Sequence, residues 1–308
     1  AWSARGYIRI SERKFVEASE DLEMAIALTP TDRGALHLLK DAKHLLKGPW
    51  PKESGKTEYV AETEHFRVRT DMGAKKAKEF AERLEKAREV YVLEIPPPSG
   101  AVERAEVVVF YTEEAYHTYA ELTSDDRAES TLGYFHPLYN QLFLFEGATD
   151  VSGQELLHVL FHEGFHQYLE GIIPFNPTWC NEGLAEYYGG KAFARETGLT
   201  RDPFLAIRLE NLQSSYAAGS KIDFATIMDM SQAEFYGDWA PVLYAQGWAM
   251  CHWFLEVASK GEREAFLAYL DEMRKGSTRE EARTRAFAGK DLKDMERRWT
   301  SWMRAWKY

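Results

Sequence analysis

Apolar positions in the first 47 residues recur at spacings of three and four. Trp2, Gly6 and Tyr7 are followed by Phe15, Ala18, Leu22, Ala25, Ile26 and Leu28, and Pro30 closes the second run. The period predicts helices packed through one face. GPWPKESGK, residues 48–56, then breaks the pattern and reads as a linker. Beyond it the period shortens. YVAE and HFRVRT, within 59–70, read as two strands, and 74–93 as a charged amphipathic helix halted by Pro96, Pro97 and Pro98. EVVVFY, 106–111, reads as a buried strand, followed by a helix through Tyr116 and Tyr119. After GYFHP comes NQLFLFE, a strand with Phe143 and Phe145 on one face. From Val151 onward the pattern is helical, over 151–170, 180–197, 204–216, 241–259, 261–275 and 290–306. The expected fold class is α+β. A helical fragment (1–47) and a linker (48–56) precede one domain (57–308), made of an α+β lobe (57–150) and a helical lobe (151–308).

Composition narrows the function. The 308 residues are 45% hydrophobic, 14% aromatic and 28% charged, which excludes a disordered or fibrous chain. The formal net charge of −11 and the lack of a long basic run argue against nucleic acid as a partner. No apolar stretch approaches the roughly 18 residues that span a bilayer. Cys180 and Cys251 are too few for a disulfide framework, which leaves the redox compartment open. The chain begins at Ala1 inside a helical pattern, so a preceding segment, a signal peptide included, is expected.

His162, Glu163 and His166 form an HExxH motif on the helix expected to begin near Ser152. A spacing of four puts both imidazoles on one face, one turn apart, where they can share a zinc ion. Glu163 stands beside them, placed to take a proton from a water activated by the metal. Zn2+ is therefore the expected cofactor and hydrolysis the expected chemistry. A third ligand is needed. Sixteen residues after His166 comes NEGLAEYY, with Glu182 and, one turn on, Glu186. Pro174 and Pro177 in the connection turn the chain back, so a packed second helix can deliver the Glu182 carboxylate to the ion.

This combination resembles the gluzincin metallopeptidases, in which HExxH is followed by a helix bearing a Glu ligand within a Trp, spacer, NEG and small-residue pattern. Trp179, Asn181, Glu182, Gly183 and Ala185 match it. The likeness is to the peptidase MA-like branch and, more distantly, to the aminopeptidase N family. It implies a zinc peptidase acting on peptide or protein substrates, and an extracytoplasmic location, periplasmic or secreted. In PVLYAQGWAMCHWFLE, Tyr244 and Gly247 match the place where aminopeptidase N relatives put the tyrosine that donates to the oxyanion. Tyr244 is implied for that role, with Tyr236 and His252 as other candidates, and a buried core aromatic as the alternative. The Gly, x, Met, Glu, Asn string that binds a substrate α-amine in aminopeptidases is absent, which favours an endopeptidase. Trp2, Gly6, Tyr7, Ala18, Ala25 and Pro30 resemble one tetratricopeptide repeat, and so imply a protein partner for the helical fragment.

Neighbouring residues have two readings each. His158 lies one turn before His162, but three turns of one helix span too far for three imidazoles on one ion, so it is expected beside the ligands or in the core. Glu186 is either a carboxylate orienting a ligand imidazole or a solvated side chain. Cys180, two residues before Glu182, should point away as a packed thiol. The strands around 139–145 are expected to form the sheet edge beside the HExxH helix, where an extended substrate could add. The rival to the peptidase reading is a repeat-containing interaction module whose metal site is structural. Zinc hydrolysis of a non-peptide bond is a third reading.

Overall fold

Three consecutive valines, Val107, Val108 and Val109, have no exposed surface. A strand so covered on both faces belongs in the middle of a sheet. In the computed structural model, which describes residues 1–93, 95–97, 104–122, 131–146, 154–173 and 176–308, they form β3 (Ala105–Phe110). Around it lie β1 (Tyr59–Glu62), β2 (Phe66–Thr70), β4 (Gly133–His136) and β5 (Gln141–Phe145), in the order β1-β2-β3-β5-β4. β2 and β5 flank β3 in parallel, with Val68 opposite Val107 and Phe143 opposite Val108. The two outer pairs are antiparallel. The return from β2 to β3 runs through α4 (Ala74–Tyr91), as a parallel crossover requires, and α5 (Glu113–Leu122) follows β3.

The edge expected at 139–145 is corrected. β4 and β5 form a hairpin through a 3-10 turn at Pro137–Tyr139 and Asn140, whose φ is +45°. The second strand of that hairpin turns inward to pair with β3, so β5 is buried along its length and β4 is the outer strand.

Three helices, α1 (Trp2–Ser11), α2 (Phe15–Leu28) and α3 (Arg33–Lys47), precede the sheet. Gly6 is required where α1 meets α2, because a Cβ there would lie 2.6 Å from Leu22 Cγ. Ile10, Leu22 and Leu45 share one hydrophobic core with Val108, Phe110, Phe143 and Phe145. Trp50, inside the expected linker, belongs to the same core, so these helices are packed on the sheet rather than tethered to it. Arg13 lies 3.4 Å from Glu106 and the Tyr139 hydroxyl donates to Asp41, tying helices to strands by polar contacts as well. Residues Ala1–Glu85 and Ala101–Glu163 make up one compact unit.

The other unit comprises Lys86–Gly100 and Gly164–Tyr308. The helix α6 (Gln154–Glu170) runs continuously through the division. Its start, expected near Ser152, lies outside the described residues, as do Pro98 and Pro174. Then come α7 (Thr178–Thr197), α8 (Pro203–Ala217), α9 (Phe224–Asp229), α10 (Gln232–Phe235) and α11 (Ala240–His252), which continues as a π-helical turn over Trp253–Val257. The chain ends with α12 (Lys260–Arg274), α13 (Arg279–Ala286) and α14 (Leu292–Ala305). No strand occurs here among the described residues. The short α9, α10 and α13 escape the apolar period, and each starts at a side-chain cap, on Asp223, Ser231 and Thr278. The fold is therefore mixed, as expected for an α+β chain.

The α7 and α11 helices meet backbone to backbone. A Cβ on Gly183 would lie 2.4 Å from the Gly247 carbonyl oxygen, and one on Gly247 would lie 2.6 Å from that of Trp179. The nearest atoms are backbone, which cannot swing aside as the end of a side chain would. Gly183→Ala should therefore lower stability by about 1–3 kcal/mol or more through overpacking, read from denaturant melts, whereas Gly198→Ala, at a helix end in open space but with φ +71°, should cost only its backbone strain.

Two histidines set an acid limb. Burial pushes the His252 imidazole, packed against Trp302 and Trp306, down to about 4, and burial with nearby Lys47 and Lys40 does the same to His44. Both are neutral in the fold, while the unfolded chain takes up protons below about pH 6.5. The unfolded state then binds more protons, so stability is full above pH 6.5 and falls as pH drops towards 4. Denaturant titrations of metal-free protein should show that slope, and His252→Phe should reduce it. An unchanged slope would remove His252 from the account.

Candidate metal centre

The α6 and α7 helices bring three chemically matched groups together. His162, His166 and Glu182 each offer one ligand atom, and these atoms lie within 4.8 Å of one another. All three side chains are buried, at 8%, 8% and 3% exposure. Burying a carboxylate and two imidazoles is costly unless they are paired or coordinate a metal. The group can hold a metal ion. The spacing of four within α6 aligns the imidazoles, and the buried crossing of α7 on α11 fixes the backbone beside Glu182.

Each member is held from outside. His166 Nδ1 lies 3.1 Å from the Asn181 side-chain oxygen, which orients the ring so that Nε2, 3.3 Å from Glu182 Oε2, faces the group. Such a partner fixes tautomer and ring plane. The Tyr236 hydroxyl donates to Glu182 Oε1. Glu182 is thus engaged through both oxygens. Glu163 is half-buried and outside the ligand group, and its Oε2 accepts the backbone N–H of Phe135 at 3.1 Å. In β4 the alternation of paired positions leaves Gly133 and Phe135 with backbone groups directed away from β5. Glu163 therefore sits on the outer edge of the sheet. Gly133 is part of this fit, because a Cβ there would lie 2.7 Å from Val159 and 3.4 Å from Glu163 Cγ.

The remaining expected residues are placed as follows. His158 is buried with its ring centroid 6.4 Å from that of His162, beside the ligand group and not in it. Glu186 is wholly buried and lies 2.6 Å from Arg208, so it is not a solvated carboxylate. At His166 Nδ1 the orienting group is Asn181. Tyr244 is half-buried, with its ring 6.2 Å from that of Tyr236 and beneath the Arg208 guanidinium. Cys180 is a fully buried thiol beside Cys251, and both are free; burial and that neighbour raise the Cys251 thiol well above its usual range. His252 is packed among Trp302 and Trp306.

Sequence reasoning did not single out Asn181 except as a letter of a pattern, and could not see Phe135, whose contribution is a backbone N–H. The available signal for Asn181 was its place immediately before the ligand, on the face of α7 that meets α6.

Residues 157–280 match the protein family described as "Protein of unknown function (DUF1570)", a span that includes every residue of the metal group and both tyrosines. No curated protein is similar to the chain at a significant level. No helix among the described residues is long and apolar enough to cross a membrane.

Asn181→Ala should weaken metal binding by about 10-fold to 100-fold, as measured by competition with a chromophoric chelator, with the fold intact. Equal affinity in the variant would show that the carboxamide does not hold His166.

Proposed function

We propose that the chain is a zinc-dependent peptidase, acting as an endopeptidase, with Glu163 as the general base. The observation that carries this reading is a carboxylate that the metal group does not use. His162, His166 and Glu182 suffice to hold an ion, yet Glu163 stands next to them, half-buried and fixed on the sheet edge by Phe135. A site built only to hold a metal has no need of it. The donor set fits zinc, since two imidazoles and one carboxylate leave the open fourth position of hydrolytic zinc sites. When bound, zinc supplies Lewis acidity to a carbonyl and lowers the pKa of water towards 7.

The chain's own residues do the rest. With Oε2 taken by the Phe135 N–H, Glu163 keeps Oε1 to receive the proton of the attacking water and pass it to the departing amine. An extended peptide laid beside β4 meets this carboxylate at Phe135, where Glu163 takes the outward N–H and ends main-chain pairing. Main-chain docking of that kind needs no free terminus, which supports internal cleavage. Asn181 holds the His166 ring and Tyr236 holds Glu182. Tyr244 is the candidate donor for the oxyanion, since the one O–H of Tyr236 is given to Glu182.

Four variants test the reading. The purified chain should hold about one zinc, lost in His162→Ala. Glu163→Gln should keep zinc and lose hydrolysis of an unfolded protein mixture, with internal cuts read by mass spectrometry in the parent. Full turnover in zinc-replete Glu163→Gln, or release of single N-terminal amino acids alone, would overturn the base or the endopeptidase assignment respectively. Tyr244→Phe should lower kcat by about 10²-fold to 10³-fold with little change in KM and with zinc retained, whereas Tyr236→Phe should weaken zinc binding by about 10-fold to 100-fold through Glu182. An unchanged kcat in Tyr244→Phe would remove that residue from the oxyanion role.

A further inference from the structure

The first unit contains a recess that the proposed hydrolysis does not use. Its cavity volume is about 740 Å³, within the roughly 300–1,000 Å³ of small-molecule sites. One wall is a single face of α3, where Lys40, Lys43, His44 and Lys47 follow one another at spacings of three and four. The other walls include Trp50 and, from α5, the ring of Tyr119. Four lysines line it, Lys40, Lys43, Lys47 and Lys56, against one acidic residue, Glu114. On a chain of formal charge −11 this is a local reversal of sign.

Two of these charges are answered within the protein. Lys43 pairs with Glu23 at 2.7 Å, and Lys56 lies 3.7 Å from Asp71. Lys40 and Lys47 have no ion pair among the described residues. Trp50 is only 8% exposed, and its indole N–H, a donor that cannot accept, finds no acceptor among the described residues. Nε2 of His44 is likewise buried without a partner there. Burial and the two lysines keep that ring neutral, so it adds a hydrogen-bonding group and no charge. The Tyr119 ring lies 4.8 Å from it.

We propose that this recess binds a small organic anion with a flat apolar body. The acidic group lies between the Lys40 and Lys47 ammonium groups, the body lies against Trp50 and Tyr119, and an acceptor atom takes the Trp50 indole N–H. Buried polar groups in native proteins are rarely left without partners, and a donor at the wall of a cavity is satisfied by what fills it. Unpaired cations lining an apolar recess select the charge.

The test uses the full chain labelled with ¹⁵N. The indole resonance of Trp50, identified by its loss in Trp50→Phe, reads the recess apart from any carboxylate bound at the metal group. Probes are 1-naphthaleneacetate, 1-naphthyl phosphate and the uncharged 1-naphthaleneacetamide. At least one anion should move that resonance and saturate, at least about tenfold tighter than the amide. The preferred anion shows whether the native acid is a carboxylate or a phosphate. Lys40→Gln/Lys47→Gln should weaken the anion about tenfold while zinc content is unchanged. In the parent chain, added salt should weaken the anion but not the amide, which keeps the test decisive if the double variant folds poorly. Equal binding of amide and anions, no effect of salt or of the double substitution, or no response of the Trp50 resonance at millimolar probe would overturn the proposal.

Discussion

The Glu182 carboxylate belongs to a helix whose backbone lies directly on that of another. Gly183 and Gly247 let α7 and α11 approach until neither tolerates a methyl group. Helix packing normally leaves side chains between the axes, and removing them fixes rotation and height of one helix on the other far more tightly. Glu182 is the residue next to that contact. Its carboxylate is then set by Tyr236 on one oxygen and faces His166 with the other, so the third ligand is supported by packing below and hydrogen bonding beside. The two glycines of the NEG and Tyr-x-x-Gly patterns are therefore explained by packing. They carry no chemistry themselves, but a ligand on a loosely packed helix would have no fixed place.

The imidazole side of the group is simpler. Helical period alone aligns His162 with His166, and the partner needed to fix the second ring is supplied from the adjacent helix by Asn181. Asn181 and Glu182 are neighbours on α7, so one registration of α7 delivers both a ligand and the group that orients another. This coupling means that displacement of α7 would disturb two of the three donors at once. Removal of Asn181 touches only one.

Much of the arrangement was legible in the sequence because it rests on short-range periodicity. The strands 59–62 and 66–70, the buried run at 107–109, the long helices and the alignment of His162 with His166 follow from spacings of two, three and four, whereas Glu182, sixteen residues on, came from the NEG pattern. What was not legible rests on pairing and capping. Nothing in NQLFLFE tells whether its strand lies at the rim or inside, since an apolar run serves a central strand and a half-covered one alike. That was decided by the hairpin at Pro137–Asn140, which turns β5 in towards β3. The short helices begin at caps and are too brief for a period. The linker reading of 48–56 followed from Pro and Gly, yet Trp50 within it is buried in the common core, because a single large side chain can anchor a segment whose backbone has no regular structure.

The change of the outer strand from β5 to β4 alters the meaning of Glu163. Had β5 been the edge, a docked peptide and the HExxH carboxylate would have been separate features of the same neighbourhood. With β4 outermost, the carboxylate accepts a hydrogen bond from the outer strand of the sheet, at Phe135. Because the donor is a backbone group of a paired strand, no substitution at Phe135 other than proline removes it. It shifts only if β4 itself moves. Glu163 is thus held by the sheet at Phe135, and it shares α6 with His162.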